Sequence, residues 1–307
     1  MSICILPWIH LETTPQGTVR PCCQYNEEIP NSDLSQTTLE EIWTGDYMQE
    51  LREKFLKGER PAECSQCWRA EDANNKSKRQ QDNQRFIEHR DRVYQQLKKP
   101  VYLDLKLGTV CNIKCRTCST MSSSKWAEDE KLLYGTPFNP KKSYWVNEES
   151  NFWINLEQML DDVEYIDFTG GEPFLIKRHV QVLRKCVEQG LASNISIHYN
   201  TNGTIMPTDE MFNLWKHFKW VEIMFSIDGL KNQFEYIRHP AKWNDVESVF
   251  NTVKSKNFLH TSICHTVSIF NIYYLPEFIN WFNKQGLQEH QLFLNLLYRP
   301  TYQCVQN

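Results

Sequence analysis

The sequence lacks a basic leader at its amino terminus and any run of about 18 consecutive apolar residues. The first absence argues against secretion, and the second against a membrane-spanning helix. An excess of positive charge is also missing, since the formal net charge is −4 and both signs are mixed along the chain. No basic field therefore favours nucleic acid as a partner. Together these absences predict a cytoplasmic protein that binds neither membranes nor nucleic acid.

Apolar residues and cysteines are both well represented. The 307 residues are 40% hydrophobic and 13% aromatic, which is enough for one large domain with a packed core and a smaller domain beside it. The chain has eleven cysteines. In a reducing cytosol, cysteines at metal-ligand spacing are better explained as cluster ligands than as disulfides.

Three of the cysteines follow a predicted β-strand at close spacing. The strand is the alternating run 101–107, and Cys111, Cys115 and Cys118 come after it in a C-x3-C-x2-C pattern. Three thiolates on a tight loop can hold three irons of a [4Fe–4S] cube and leave the fourth iron without a protein ligand. A zinc knuckle or a set of buried, unreactive thiols is the alternative, although no fourth Cys or His follows Cys118 at short range.

A second strand-like run, 163–168, leads into Thr-Gly-Gly-Glu-Pro at 169–173. Paired glycines let the backbone approach a ligand closely. The two motifs together resemble the radical S-adenosylmethionine (SAM) superfamily, in which the cysteine loop binds the cluster and the Gly-Gly-Glu-Pro segment holds the amino group of SAM. The resemblance implies that Cys111, Cys115 and Cys118 bind the cluster and that SAM is contacted by Gly170, Gly171, Glu172 and Pro173.

Later strand ends also resemble SAM contacts of this family. Ser226 begins a Ser-Ile-Asp-Gly segment where relatives place a serine against SAM, and Asn202 lies in a Thr-Asn-Gly turn. Arg238 falls where relatives have an arginine for the SAM carboxylate, but it could instead be an ordinary surface arginine. Thr117 departs from the family, which usually has an aromatic residue there. The resemblance implies SAM and a [4Fe–4S] cluster as cofactors, with an electron donor such as flavodoxin or ferredoxin.

The first segment carries a second set of cysteines. Its spacing, C-x12-G-x4-C followed later by C-x2-C, resembles the twitch domain, a shortened SPASM domain that binds one auxiliary [4Fe–4S] cluster. The ligands implied are Cys4, Cys22, Cys64 and Cys67, with Cys23 as an alternative to Cys22. Four thiolates would close that cluster, which would then pass electrons or act structurally. A four-cysteine zinc site is the other interpretation.

Strand and helix patterns alternate from residue 100 onward. The predicted strands are 101–107, 163–168, 195–200, 220–227, 260–268 and 291–297. This alternation predicts an α/β fold of parallel strands with helical crossovers. Six units in about 200 residues suit the partial (β/α)6, TIM-like barrel of radical SAM enzymes better than a full barrel of about 250 residues. The predicted division is a twitch-like domain at 1–70, a helical linker at 71–98 and the barrel at 99–307.

Polar rows on the predicted strands should face the barrel lumen, with apolar rows under the outer helices. This places Asp104, Lys106, His198, Asn200 and Glu222 in a cavity next to the SAM site. A slip of one residue in the register would exchange the two faces.

The mouth of the barrel needs a cover, because only ten residues follow the last predicted strand. The amino-terminal cluster domain is expected to pack over or beside the carboxyl end of the barrel and to supply part of that cover, with its cluster close enough to exchange an electron with bound substrate. A rigid helix across 69–98 would tether it. That stretch has no Gly or Pro at which to flex.

The functional hypothesis is a radical SAM enzyme that cleaves SAM reductively and abstracts hydrogen from its substrate through a 5′-deoxyadenosyl radical. The substrate is a peptide or protein to be modified, or a small molecule to be oxidised, and the sequence indicates no catalytic side chain acting on it. The alternative is a non-catalytic iron–sulfur or zinc-binding interaction module on the same scaffold.

Overall fold

One sheet organises the chain. The computed structural model describes residues 3–95, 99–135, 145–147 and 149–306. Its strands run in the order β2-β1-β3-β4-β5-β6-β7-β8, and neighbours are parallel except for β1 and β2. The strands are β1 (His10–Thr13), β2 (Val19–Arg20), β3 (Tyr102–Lys106), β4 (Tyr165–Thr169), β5 (Ser196–Thr201), β6 (Trp220–Ser226), β7 (His260–Val267) and β8 (Leu292–Leu296).

Helices connect the parallel strands from β3 to β8, as the alternating pattern predicted. The described α-helices are α1 (Leu39–Thr44), α2 (Asp46–Leu56), α3 (Ser65–Asp72), α4 (Lys78–Arg85), α5 (Ala127–Tyr134), α6 (Asn151–Glu157), α7 (Arg178–Glu188), α8 (Asp209–Trp215), α9 (Lys231–Ile237), α10 (Trp243–Lys254) and α11 (Leu275–Asn283). The predicted α/β fold class is confirmed, and each of the six predicted strands lies within two residues of an observed one. No helix in the described part of the chain is both long and apolar enough to cross a membrane.

Alternation along the strands separates a core face from a lumen face. Leu103 and Leu105 of β3 are fully buried, whereas Asp104 and Lys106 between them are only half-buried. The same alternation continues on β4, where Phe168 is fully buried and packs on Tyr199 of β5 with ring centroids 5.1 Å apart. Burying one such side chain stabilises the fold by about 1.5–3 kcal/mol. The predicted strand register is therefore confirmed.

The amino-terminal segment belongs to the same sheet. β1 runs parallel to β3, with His10 opposite Tyr102 and Glu12 opposite Asp104. The Thr13 Oγ1 atom accepts a hydrogen bond from the Lys106 amide at 2.8 Å. Sheet and core thus extend across the boundary expected between a small domain and the barrel. The division at 1–70, 71–98 and 99–307 stays a prediction, and residues 96–98 of the linker lie outside the described part.

The prediction of one rigid helix across 69–98 was wrong. α3 ends at Asp72, Asn74 adopts a left-handed conformation with φ 57°, and α4 begins only after Ser77. Asn is one of the few residues other than Gly that take this conformation readily. The Ser77 side chain then caps α4 in a reciprocal arrangement with Gln80, and a 3₁₀ helix, Ile87–Tyr94, follows. The absence of Gly and Pro therefore did not keep the segment helical.

The part of the amino-terminal segment that carries the auxiliary cysteines lies near the amino end of the barrel, whereas the turn after β1 reaches the other end, where Gln16 Nε2 donates a hydrogen bond of 3.1 Å to the Met121 carbonyl oxygen. The Phe86 ring packs against Tyr102 and Tyr165, the first residues of β3 and β4, with centroids 5.5 and 5.2 Å apart. Next to Cys22, the Pro21 carbonyl oxygen lies 2.8 Å from Nδ1 of His10, at the start of β1. The expectation that the auxiliary cluster covers the carboxyl end was wrong, because Cys4 and Cys22 lie next to residues that contact the amino ends of the strands and α4.

The carboxyl-terminal segment instead reaches the loop of three cysteines. Gln303 is buried, and its Nε2 donates a hydrogen bond of 3.0 Å to the carbonyl oxygen of Arg116, between Cys115 and Cys118. The carbonyl oxygen of Gln303 accepts a hydrogen bond of 3.0 Å from the Ile269 amide, just beyond β7. The segment around Gln303, for which the sequence predicted no function, therefore lies at the mouth of the barrel.

Candidate functional site

The loop of three cysteines follows β3 and is anchored by backbone hydrogen bonds. The amides of Lys114 and Arg116 donate to the carbonyl oxygens of His239 and Ile237 at 2.7 and 2.9 Å. Trp126 also donates from Nε1 to the carbonyl oxygen of Cys115 at 3.0 Å. Cys111 and Cys115 are buried and Cys118 is half-buried. The loop thus holds its three thiols in a fixed arrangement at the carboxyl end of β3.

The Gly-Gly-Glu-Pro segment packs directly on this loop. The amides of Gly171 and Glu172 donate to the carbonyl oxygens of Gly108 and Val110 at 3.0 and 2.8 Å. A Cβ at position 171 would lie 2.2 Å from the Val110 oxygen, which is far inside van der Waals contact. Glycine is therefore required here by the close approach of two backbones.

Glu172 turns its carboxylate toward the end of β5. The carboxylate accepts hydrogen bonds from Thr201 Oγ1 at 2.9 Å, the Asn202 amide at 2.8 Å and the Phe174 amide at 3.1 Å. Burial raises the pKa of Glu172 to about 7, against the opposite effect of these hydrogen bonds. The carboxylate therefore joins the ends of β4 and β5, and Pro173 begins the 3₁₀ helix that follows.

Asn202 connects the β5 turn to the cysteine loop. Its Nδ2 lies 3.7 Å from the Cys111 Sγ atom and 3.0 Å from Asn112 Oδ1. Its Oδ1 accepts hydrogen bonds from the amide and hydroxyl of Thr204 at 2.8 and 2.6 Å. The amide is thus oriented so that its N–H group points at a thiol.

Arg238 is a buried partner of the loop, so the alternative of a surface arginine is wrong. Its guanidinium forms an ion pair with Asp228 at 2.7 Å, and its Nη1 lies 3.7 Å from the Cys115 Sγ atom. Although burial acts in the other direction, Asp228 and the neighbouring thiols raise the pKa of Arg238 above its ordinary value. The hydrogen bond from Cys115, aided by the Arg238 charge, lowers the pKa of Cys118. The same hydrogen bond raises the pKa of Cys115, so within this pair it is Cys118 whose surroundings favour the thiolate form that metal ligation requires.

Ser226 is the last residue of β6, half-buried and opposite Cys264 of β7. It lies at the same end of the sheet as the cysteine loop. The structure thus brings Gly170, Gly171, Glu172, Asn202 and Arg238 around the three thiols, and places Ser226 at a neighbouring strand end. Their roles as SAM contacts stay predictions.

The auxiliary cysteines also come together. Cys4, Cys22, Cys64 and Cys67 line one small cavity with Leu6, Gln24, Phe55, Lys78 and Arg79. Cys23 does not line it and is exposed, which favours Cys22 as the ligand of the two. The cluster-ligand role of this set stays a prediction.

Both sets of thiols suit an iron–sulfur cube. Among the described residues, no three His, Cys, Asp or Glu side chains converge at the distances of a single metal ion. A [4Fe–4S] cube does not need that convergence, because each thiolate binds a different iron. Donors near the sulfur atoms, such as Asn202 Nδ2 and Arg238 Nη1, are among the groups that tune such clusters.

A row of ionisable side chains crosses the lumen face of the sheet. Asp104, Asp167, His198 and Glu222 occupy matching positions on β3, β4, β5 and β6. His198 Nδ1 lies 3.0 Å from Glu222 Oε2, and this hydrogen bond raises the pKa of His198 against the effect of burial. Together with Lys106, which contacts Asp104 at 3.1 Å, the row gives the lumen the polar lining that the alternation predicted.

Two residues on the lumen face were not predicted from the sequence. Tyr102 donates its hydroxyl to Asp167 at 2.5 Å, and Glu12 of β1 forms ion pairs with Lys106 and Arg20. Tyr102 shares the period of Asp104 and Lys106, which was the available signal. Glu12 lies in a strand of only four residues, and no local pattern relates it to a partner about ninety positions later.

Residues 105–281, more than half of the chain, match the radical SAM superfamily. The chain therefore belongs to the radical SAM superfamily. Residues 4–68 match the SPASM iron–sulfur cluster-binding domain, here placed before the barrel. The two matches indicate a SPASM-type radical SAM protein and imply SAM, a [4Fe–4S] cluster and additional iron–sulfur clusters as cofactors.

Individual relatives match only part of their own length. The sporulation killing factor maturation protein SkfB of Bacillus subtilis (strain 168) is 28% identical over 157 residues, covering 50% of this chain and 32% of SkfB. The structure of histidine-tagged anSMEcpe with bound AdoMet is 18% identical with a TM-score of 0.51, over 66% of this chain and 51% of that one. SuiB of Streptococcus suis bound to S-adenosylmethionine is 14% identical with a TM-score of 0.45, over 85% and 56%. The chain thus spans about a third of SkfB and about half of each solved structure.

Proposed function

We propose that this chain is a peptide-modifying radical SAM enzyme. The observation that carries the proposal is the contact of the segment 108–118 with Gly171, Asn202 and Arg238, which come from three other parts of the barrel. When bound at this loop, the cluster and SAM supply the 5′-deoxyadenosyl radical that abstracts hydrogen from the substrate.

Different residues of the chain would bind the cluster and orient SAM beside it. Cys111, Cys115 and Cys118 would hold the cluster. Arg238 supplies a positive charge beside the thiolates, with Asp228 fixing its direction. Gly170 and Gly171 have no Cβ, so their backbone packs closely on residues 106–110 and is held beside the cysteine loop.

The lumen row supports a substrate rich in hydrogen-bonding groups. Carboxylates, a histidine and a lysine lie on the lumen face of the strands whose carboxyl ends carry the cysteine loop and the Gly-Gly-Glu-Pro segment. A peptide backbone offers one donor and one acceptor at nearly every residue. Similarity to SkfB, a sporulation killing factor maturation protein, also supports a peptide substrate.

Placement at the amino end of the barrel supports a structural role for the auxiliary cysteines. Cys4 lies near the start of the chain and Cys67 lies in α3. A cluster bound by Cys4, Cys22, Cys64 and Cys67 would therefore link the start of the chain to α3. This location is unsuited to covering a radical formed at the carboxyl end.

Anaerobic reconstitution tests the proposal. We expect about eight irons per chain and 5′-deoxyadenosine on reduction in the presence of SAM. Short peptides encoded beside the gene are then added, and their masses are measured after the reaction. A mass change in a peptide supports the proposal. Zinc without SAM cleavage favours the interaction module, and SAM cleavage that only a small molecule stimulates favours small-molecule oxidation.

A further inference from the structure

The cavity of the four auxiliary cysteines has a charged wall. Lys78 and Arg79, the first two residues of α4, line it together with the thiols. A cube with four thiolate ligands carries net negative charge, and its reduction potential depends on the charges and hydrogen bonds around it. The two cations are therefore candidates to set the properties of a cluster bound there.

The Arg79 guanidinium is paired with groups other than the thiols. Its guanidinium makes a two-point contact with the Glu71 carboxylate at 2.9 and 2.6 Å, and it donates to the carbonyl oxygen of Ile3 at 2.7 Å. These bonds hold residue 3, next to Cys4, against α4. Arg79 therefore serves to fix the backbone beside the cavity.

The ammonium of Lys78 is held differently. Its one described ion pair joins Nζ to Asp82 Oδ2 at 2.9 Å, one turn along the same helix. The Lys78 side chain is 30% exposed and that of Asp82 is 7% exposed. Although burial acts in the other direction, Cys23, Asp82 and Cys22 all raise the pKa of Lys78. Lys78 thus places its charge toward the cysteines, while Asp82 stands behind it and close to Cys4.

We propose that Lys78 is the counter-charge of the auxiliary cluster, and that the Lys78–Asp82 pair sets its reduction potential. The inference rests on the proposed ligands Cys4, Cys22, Cys64 and Cys67. Lys78 acts as a positioning residue that touches neither SAM nor substrate. Loss of the lysine leaves Asp82 as an unbalanced negative charge near the cluster, which disfavours reduction. Loss of Asp82 has the opposite effect.

The test uses the full chain with Cys111, Cys115 and Cys118 all changed to Ala, so that any remaining cluster is the auxiliary one. After reconstitution we expect about four irons per chain and titrate the cluster by EPR. Lys78→Met should lower the equilibrium constant for one-electron reduction about tenfold, which is about 59 mV. Asp82→Asn should shift the potential upward. Lys78→Arg should stay near the parent value.

Lys76→Met is the matched control, because Lys76 is exposed two positions earlier and pairs with Gln84. Its potential should not move. An unchanged potential in Lys78→Met with the cluster retained overturns the inference and leaves the auxiliary cluster in place. A parent protein that binds no iron, or zinc instead, overturns the ligand assignment and the inference with it. If Lys78→Met loses the cluster, retention by Lys78→Arg supports the counter-charge, and loss in both variants overturns it.

Discussion

The Nη1 atom of Arg238 lies 3.7 Å from the Sγ atom of Cys115. The contact joins a helix end that follows β6 to the loop that follows β3, so the thiol and the guanidinium meet only in the folded barrel. Asp228 completes the arrangement, because its Oδ2 pairs with Arg238 and its Oδ1 accepts a hydrogen bond of 2.7 Å from the Thr266 amide.

Asp228→Ala is expected to destabilise the cluster-free chain by about 3–5 kcal/mol, because Arg238 would keep a buried charge without its partner. Urea unfolding followed by circular dichroism measures the loss. Asp72→Ala is the matched control, since the Arg60–Asp72 pair is 47% and 63% exposed. That change should cost under about 1 kcal/mol. Equal costs for the two variants would contradict the burial argument.

Cys111→Ala, Cys115→Ala and Cys118→Ala are each expected to abolish SAM cleavage, because a cube with two protein ligands is not held. The measurement is 5′-deoxyadenosine after anaerobic reconstitution and reduction. Cys186→Ala serves as control, since Cys186 is buried in α7 outside the ligand patterns. Near-normal product from any of the three loop variants would remove that cysteine from the ligand set.

Gly171→Ala should displace Val110 from the Gly-Gly-Glu-Pro segment, because the new Cβ would lie 2.2 Å from a backbone oxygen that cannot rotate away. Hydrogen exchange at the Glu172 amide, which donates to that oxygen, should become faster. Gly190→Ala is the control: its φ of +73° costs about 1 kcal/mol, but nothing lies within 4 Å. Unchanged exchange in Gly171→Ala would show that the two segments separate without loss.

Glu172 should make the stability of the cluster-free chain fall as pH rises. Burial raises its pKa from 4.5 to about 7, so the folded chain binds this proton more tightly than the unfolded chain. The contribution is present in full below about pH 4.5 and is lost as pH rises through about 7. Between pH 5 and pH 8 the wild type should lose about 2.5 kcal/mol more than Glu172→Gln. Parallel urea curves at the two pH values measure this difference, and identical pH dependence in both proteins would refute it.

Local patterns predicted the barrel well. β3, β4 and β5 largely alternate between apolar and polar residues, and the cysteine and glycine motifs have fixed spacing, so short stretches carry the information. β1 could not be found this way, because His10–Thr13 is brief and its pairing with β3 depends on contacts across about ninety positions. The turn at Asn74 was not predicted either, because nothing in the local pattern marks this residue as the one that adopts a left-handed conformation after α3. Lumen residues on predicted strands were found, and Glu12, on an unpredicted strand, was missed.

The backbone bonds from Lys114 and Arg116 to His239 and Ile237 also bear on the order of events during synthesis. The carbonyl partners come about 120 positions after the cysteine loop, so the loop leaves the ribosome long before the residues that order it. A chain grows and folds from its amino terminus. Until α9 has formed, the three thiols therefore belong to a loop that is held only by nearby contacts such as the bond from Trp126 to Cys115. Delivery of iron and sulfide to the fully anchored site therefore follows completion of most of the barrel, and the cluster-free chain is the species that the cell must protect from oxidation until then.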